Sequence, residues 1–335
     1  MSSSKLSVGI VGLPNSGKST LFNALLQRQI ANVAEYPFTT IEPNTGVVEL
    51  PDTRLTQLGA ALGIKKIVPA PVKFIDIAGL VKGAHKGEGL GNKFLSHIRE
   101  TTVILHVVRD FEDPAVPHVV GEIDPIHDAK IVNLELILAD FEVVAKRLED
   151  KGLEQKQKQV LEKIKKVLDK GEMASQAGLT DEEKQQVVEL NLLTLKPMVY
   201  LINANQVKMS QLAHDSSKKL IDKNEVIVLS AKDGGAPLSE LIKVAYKTLG
   251  LITFYTSKGG QEVRAWPFRV GETALSAAEE VHTDIAKGFI KAEVINWQDL
   301  VRLGSWQAAK KAGKIRLEGK DYQVQDGEVL EIKFH

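Results

Sequence analysis

Gly12-Leu13-Pro14-Asn15-Ser16-Gly17-Lys18-Ser19 has the spacing G-x-x-x-x-G-K-S. The apolar run Leu6–Val11 precedes it and the helix-like Thr20–Leu26 follows. Gly12 and Gly17 let the chain fold back between strand and helix. The backbone N–H groups of Asn15, Ser16, Gly17, Lys18, Ser19 and Thr20 can then converge at the positive end of the new helix. Such a turn cradles phosphates. The Lys18 ammonium can reach the β- and γ-phosphates, and the Ser19 hydroxyl can ligate Mg²⁺. A chance match in an ordinary strand-to-helix turn is the competing reading, and the correct context on both sides counts against it.

Residues further along complete the same chemistry. Asp76-Ile77-Ala78-Gly79 closes another strand pattern. There the Asp76 carboxylate suits Mg²⁺, directly or through water, and the Gly79 N–H can approach a γ-phosphate. Thr40 lies in the polar stretch after the first helix. It is either a switch residue that ligates Mg²⁺ when the γ-phosphate is bound or a plain turn residue. The glycine-rich run Gly79–Asn92 costs much entropy to order, which suits a segment that rearranges with the nucleotide. Within it, Gly87-Glu88-Gly89-Leu90-Gly91 imitates a dinucleotide fingerprint but does not follow a strand, so that reading is rejected.

Base recognition is expected from loops after the late strands: Asn203, Asn205 and Gln206 after one, Ser230 and Ala231 after the other. Guanine wants a carboxylate that accepts from both N1–H and N2–H₂. The Gln206 amide, one acceptor beside one donor, suits adenine better. Ala204 also removes the lysine stem that commonly covers a base. The residues lean toward ATP, with GTP on the same architecture as the alternative.

Strand and helix patterns alternate around these motifs. Strands are expected at Leu6–Val11, Gly46–Leu50, Val72–Asp76, Val103–Val108, Met198–Asn203 and Val226–Ser230, with a helix at Arg54–Leu62. They read as an α/β, doubly wound P-loop domain over 1–128 and 196–251. A helical insertion over 129–195 interrupts it. There Ile131, Leu134, Leu138, Phe141, Ala145 and Leu148 make one stripe; Val160, Ile164, Val167 and Leu168 make a second; and Asp181–Leu193, capped by Thr180, would be a third helix. The insertion is either a solvated arm or a docking arm for a partner. From 252 to 335 the pattern is α+β, compatible with a β-grasp: strands at Thr253–Thr256, Glu262–Val270, Ile290–Trp297 and Glu328–Phe334 flank a helix at Ala274–Lys287.

The 335 residues carry 43 Lys+Arg against 43 Asp+Glu, so nucleic-acid or membrane binding would need a local patch. The sharpest is Lys310-Lys311-Ala312-Gly313-Lys314-Ile315-Arg316, a candidate RNA contact. With no cysteine, disulfides, thiolate catalysis and Cys-based zinc sites are excluded. The start has no apolar signal region and no run has membrane-spanning length, so a cytoplasmic protein without membrane contact is expected. A small-molecule kinase shares the P-loop but needs an arginine-bearing lid, and no such segment is visible.

Several long motifs together resemble the YchF / Obg-like ATPase family of translation-factor-related P-loop GTPases. They are Gly12–Ser19, Tyr36–Asn44 (Y-P-F-T-T-I-E-P-N), Asp76–Asn92, His106–Arg109, Leu195–Pro197, Glu262–Trp266 (E-V-R-A-W), His282–Phe289 and Glu318–Gly327. The resemblance implies a GTPase-like domain, a helical insertion and a C-terminal TGS domain. It also implies hydrolysis of ATP at least as well as GTP, and association with the ribosome. Leu80 stands where small GTPases carry a water-orienting Gln, and leucine cannot polarise water. By the resemblance, that role passes to a histidine matching His118; from sequence alone His118 is an ordinary loop residue, and His85 competes with it. Asn15 matches the position where relatives ligate a monovalent cation, which implies K⁺. A nucleotide-gated scaffold with incidental hydrolysis is the remaining reading.

Overall fold

All eight residues of β5, Val103–Asp110, are buried, as expected of a strand covered on both faces. It lies at the centre of a sheet ordered β2-β4-β1-β5-β6-β7. The computed structural model describes residues 6–27, 44–77, 90–118, 121–205, 225–231, 236–258 and 260–335. In this sheet β1 (Ser7–Val11), β4 (Pro71–Asp76), β5, β6 (Met198–Ala204) and β7 (Glu225–Leu229) are mutually parallel. Only β2 (Thr45–Glu49) runs antiparallel, against β4. Helices α1 (Lys18–Leu26), α2 (Thr53–Leu62), α3 (Leu90–Glu100) and α4 (Pro125–Leu148) connect these strands or flank them. This is the α/β P-loop fold expected from the sequence.

The core on one face of the sheet joins Val8, Ile10, Leu21 and Leu25 to Leu105 and Leu201. On the other face Phe94, Leu95 and Ile98 of α3 meet Val132 and Leu136 of α4, with Leu193 and Tyr200. A third core lies in the insertion, where Ile137 and Val144 of α4 pack on Val160, Leu161, Ile164 and Leu168 of α5 (Gln155–Leu168).

Two expectations for the insertion are corrected. Along α4 the buried apolar positions are Ala129, Val132, Leu136, Ile137, Ala139 and Val144, while Leu134 of the expected stripe is 49% exposed. Three buried acids, Asp128, Glu135 and Asp140, share the inner side and hide the true stripe from a hydrophobicity count. The third helix is short. Thr180 does cap it, with a reciprocal Thr180–Glu183 capping box, but α6 spans only Asp181–Gln185. Val187 turns into the core, Asn191 takes a left-handed φ of 45°, and Asp140 captures the N–H groups of Leu193 and Thr194.

The second sheet, β11-β10-β12-β8-β9-β3, contains β8 (Leu251–Lys258), β9 (Glu262–Arg269), β10 (Phe289–Asn296), β11 (Arg316–Glu318) and β12 (Glu328–Phe334). Its edge strand β3, Lys66–Val68, comes from the chain between α2 and β4 and pairs parallel with β9. Around that seam Arg54 donates to Asp52 at 2.9 Å and to Asp326 at 2.7 Å, and Tyr255 donates to Asp52. The expected helix Ala274–Lys287 breaks at His282, whose extended backbone and Nδ1 cap a separate Thr283–Lys287 helix. Trp297 opens a helix (Trp297–Leu303) capped by Asn296 instead of ending a strand, and a further helix covers Trp306–Lys311.

Candidate functional site

Parallel strands deliver their carboxyl ends to one rim, and register decides what meets there. Ile10 of β1 lies opposite Asp76 of β4, and Val11 opposite His106 of β5. The chain leaves β1 into the P-loop with Asn15 at φ 63° and Gly17 at φ 97°. α1 starts at Lys18, capped by backbone alone, so its first N–H groups carry no side-chain cap.

The Lys18 ammonium lies back on the loop, donating to Leu13 O at 2.8 Å. Burial pushes its pKa down to about 8, with Asp76 pulling the other way. Burial also raises the Asp76 pKa, against the pull of Lys18 and a Ser19 hydrogen bond. Ser19 Oγ is 3.4 Å from Asp76 Oδ2, while the buried Asp76 Oδ1 and Ser16 Oγ have no partner among the described residues. One ammonium, one hydroxyl and one half-satisfied carboxylate thus face the same rim. Thr20 is exposed on the first turn of α1.

A phosphate beside Lys18 favours its charged form. Below pH 8 the ammonium is already protonated, so triphosphate affinity should be flat. Above pH 8 binding must take up a proton, and affinity should fall by up to tenfold per pH unit. Calorimetry in buffers of different ionisation heat would register that uptake, and its absence at pH 9 would contradict the assignment.

Asn203 turns out to brace the rim. It is buried, its Nδ2 donates to Ser16 O at 3.0 Å, and its Oδ1 accepts from Ala231 N at 3.0 Å. Both ends of the amide therefore tie the P-loop to the β7 loop. Ala231 is buried, Ser230 half-buried and Asn205 exposed beyond Ala204. Thr40, Gly79 and Gln206, with Leu80 and His85, lie outside the described residues.

The loop after β5 is bound to the P-loop by a residue that sequence reasoning noted only inside a motif. The buried Arg109 donates to Phe111 O at 3.0 Å, Val116 O at 2.8 Å, Pro117 O at 3.4 Å and Asn15 O at 3.5 Å. Its guanidinium also sits over the Phe111 ring at 4.4 Å. Asn15 Nδ2 adds a bond of its own to Pro117 O at 3.1 Å. His118 is thus one residue from a carbonyl held by the P-loop, and its Nε2 meets Asp128 Oδ2 at 2.8 Å. Behind the rim, His106 is fully buried against Tyr200, its pKa pushed down to about 3 by burial and by Lys18. It stays neutral.

At the C-terminal end of the chain, Lys310 and Lys311 are exposed in the last turn of their helix. Lys314 lies 4.0 Å from Asp299, and Arg316 pairs with Glu328. Half of the expected basic cluster is therefore offset by acids. No helix among the described residues is long and apolar enough to cross a membrane, and none of their His, Asp and Glu side chains form a metal-binding group of three or more.

A family model described as a 50S ribosome-binding GTPase matches residues 7–138. A YchF-GTPase C-terminal model, described as a protein of unknown function, matches residues 251–335. The ribosome-binding ATPase YchF of Bacillus subtilis is 44% identical over 98% of this chain and 99% of its own length. The protein of the same name from Haemophilus influenzae is 45% identical, with 98% of each chain covered. Among solved structures, the Schizosaccharomyces pombe YchF GTPase superimposes with a TM-score of 0.84 at 34% identity, over 98% of both chains.

Proposed function

The chain belongs to the YchF family, and on that premise we propose that it hydrolyses ATP to ADP and phosphate as a nucleotide-dependent switch on the ribosome. The carrying observation is the rim where Lys18, Ser19 and the half-satisfied Asp76 carboxylate stand beside a helix start without a side-chain cap. That donor set fits a magnesium triphosphate: hard oxygens for the cation, N–H groups and an ammonium for the phosphates. Ser19 and Asp76 would hold Mg²⁺, joined by Thr40 in the triphosphate state. The cation would neutralise charge between the β- and γ-phosphates. Lys18 would leave Leu13 O for the phosphates, and the Gly79 N–H would meet the γ-phosphate.

His118 positions the attacking water in this reading, since Leu80 cannot. The Asn15 side-chain oxygen is the group on offer to K⁺. Asn205, Gln206, Ser230 and Ala231 line the base, and Asn203 keeps their loops in place. The insertion, 129–195, and the TGS module, 252–335, report the nucleotide state, with Lys310 and Lys311 available to RNA in the cytoplasm.

GTP hydrolysis on the same site is the second reading, favoured by the family model and the fungal relative, both described as GTPases. A binding panel with Mg²⁺, ATP and GTP, with and without ribosomes, separates the two. ATP should bind at least as tightly as GTP, and ribosome co-sedimentation should depend on the nucleotide. GTP tenfold tighter than ATP would turn the assignment to GTPase, and nucleotide-blind co-sedimentation would remove the switch.

A further inference from the structure

The central strand β5 ends beside the P-loop, and its penultimate residue, Arg109, lies opposite Asn203 of β6. Arg109 is 2% exposed. Three of its bonds, to the carbonyls of Phe111, Val116 and Pro117, gather the following loop around one guanidinium. A fourth crosses to Asn15 O at 3.5 Å, and Asn15 donates its own Nδ2 to Pro117 O at 3.1 Å. A second link runs through Phe111. The guanidinium sits over its ring at 4.4 Å, and the ring's Cε1 is 3.9 Å from where a Cβ on Gly17 would stand. Asn15 (φ 63°) and Gly17 (φ 97°) are two left-handed residues that shape the P-loop, and the loop after β5 adjoins both.

Stability alone does not call for this arrangement. Asn15 and Pro117 are exposed, so water can serve their carbonyls, whereas taking a guanidinium out of water is costly. What the guanidinium adds is placement. Its planar fork of five N–H donors fixes several acceptors in direction as well as distance. A lysine would bring a point charge on a flexible stem, able to meet some of these carbonyls but not to fix them relative to one another.

Resting on the reading of the rim as an ATPase site, we propose that Arg109 is a positioning residue for hydrolysis. It locks the loop 111–117 to the P-loop, so that the phosphates and the residues carried by that loop keep one fixed arrangement. Arg109 acts through the loop, since its donors go to backbone carbonyls. His118 follows Pro117 and is carried with it. A loop freed by about 1 Å would leave ATP on the P-loop but the attacking water out of line, a loss of up to about a hundredfold in rate.

Single-turnover ATP hydrolysis at saturating Mg²⁺ and ATP, beside calorimetric ATP affinity, tests this in Arg109→Lys, Arg109→Met and His118→Ala. Arg109→Lys should hydrolyse about tenfold slower and Arg109→Met about a hundredfold slower, each with ATP affinity within about threefold of wild type. The split is decisive, because a purely structural role in the P-loop would weaken affinity and rate together. Arg109→Lys at the wild-type rate, or a loss of affinity equal to the loss of rate, would overturn the proposal. The wild-type protein gives a check that needs no substitution. With ¹⁵N-labelled arginine, the Arg109 Nε–H should exchange slowly with water, and more slowly still once a non-hydrolysable ATP analogue is bound. Exchange as fast as that of the exposed Arg302, unchanged by the analogue, would contradict the lock. If His118→Ala is slow while Arg109→Lys matches wild type, the lock is wrong and the water-orienting role of His118 stands. If Arg109→Lys is slow while His118→Ala matches wild type, the lock stands and another group orients the water. A wild-type protein that hydrolyses no ATP, with or without ribosomes, would overturn the ATPase reading and the lock with it.

Discussion

A Gly17→Ala protein should lose about a hundredfold in ATP affinity and about 3 kcal/mol of stability. A Cβ at this position would lie 2.1 Å from Asn203 Nδ2, on a backbone with φ 97°. Neither strain can be relieved cheaply. Asn203 is buried and bonded at both ends, to Ser16 O and from Ala231 N, so its retreat breaks two hydrogen bonds worth about 1 kcal/mol each. Relaxing φ instead would turn the P-loop N–H groups away from the phosphates. Gly63→Ala is the control: its φ is 68°, with nothing within 4 Å of the added Cβ. It should cost about 1 kcal/mol and leave ATP binding unchanged. Titration calorimetry and urea unfolding on both proteins check the pair, and equal ATP affinities would refute the clash.

Asp140→Ala should destabilise the protein by about 3–5 kcal/mol while sparing nucleotide binding. The carboxylate is fully buried on α4. It accepts from Leu193 N at 2.9 Å, Thr194 N and Thr194 Oγ1 at 2.7 Å each, and Arg99 Nη1 at 3.3 Å. Removing it strands two buried N–H groups, and Arg99 loses its ion pair. Arg99 also donates to Asn191 O at 3.0 Å, and Lys196 donates to Arg99 O at 2.8 Å. The substitution therefore loosens α3 from the base of the insertion. Limited proteolysis should open first between residues 170 and 196. A wild-type unfolding midpoint would show that the cluster contributes nothing.

The P-loop and the central strands were legible because each is a local rule: two glycines at fixed spacing, or an unbroken apolar run. The face of α4 was not, since Asp128, Glu135 and Asp140 are buried along it, and Asp140 finds its partners in Leu193 and Thr194, 53 and 54 residues on. Arg109 was hidden for another reason. Its partners are mostly backbone carbonyls, which leave no trace in residue types. Asn203 was seen as a base contact because its loop position says so, yet both ends of its amide serve the loops themselves. Three-residue β3 gave no periodic signal, and its mate lies almost 200 residues away.

That last pairing changes how the molecule can be divided. Lys66, Ile67 and Val68 hydrogen-bond along β9, so the C-terminal sheet is completed by a strand from the nucleotide-binding half. A fragment starting near residue 251 would present β9 as a raw edge, open to strand exchange or self-association. The same strand links the two sheets through the chain between α2 and β4. A partner gripping the C-terminal sheet therefore also takes hold of a strand that belongs to the nucleotide-binding half.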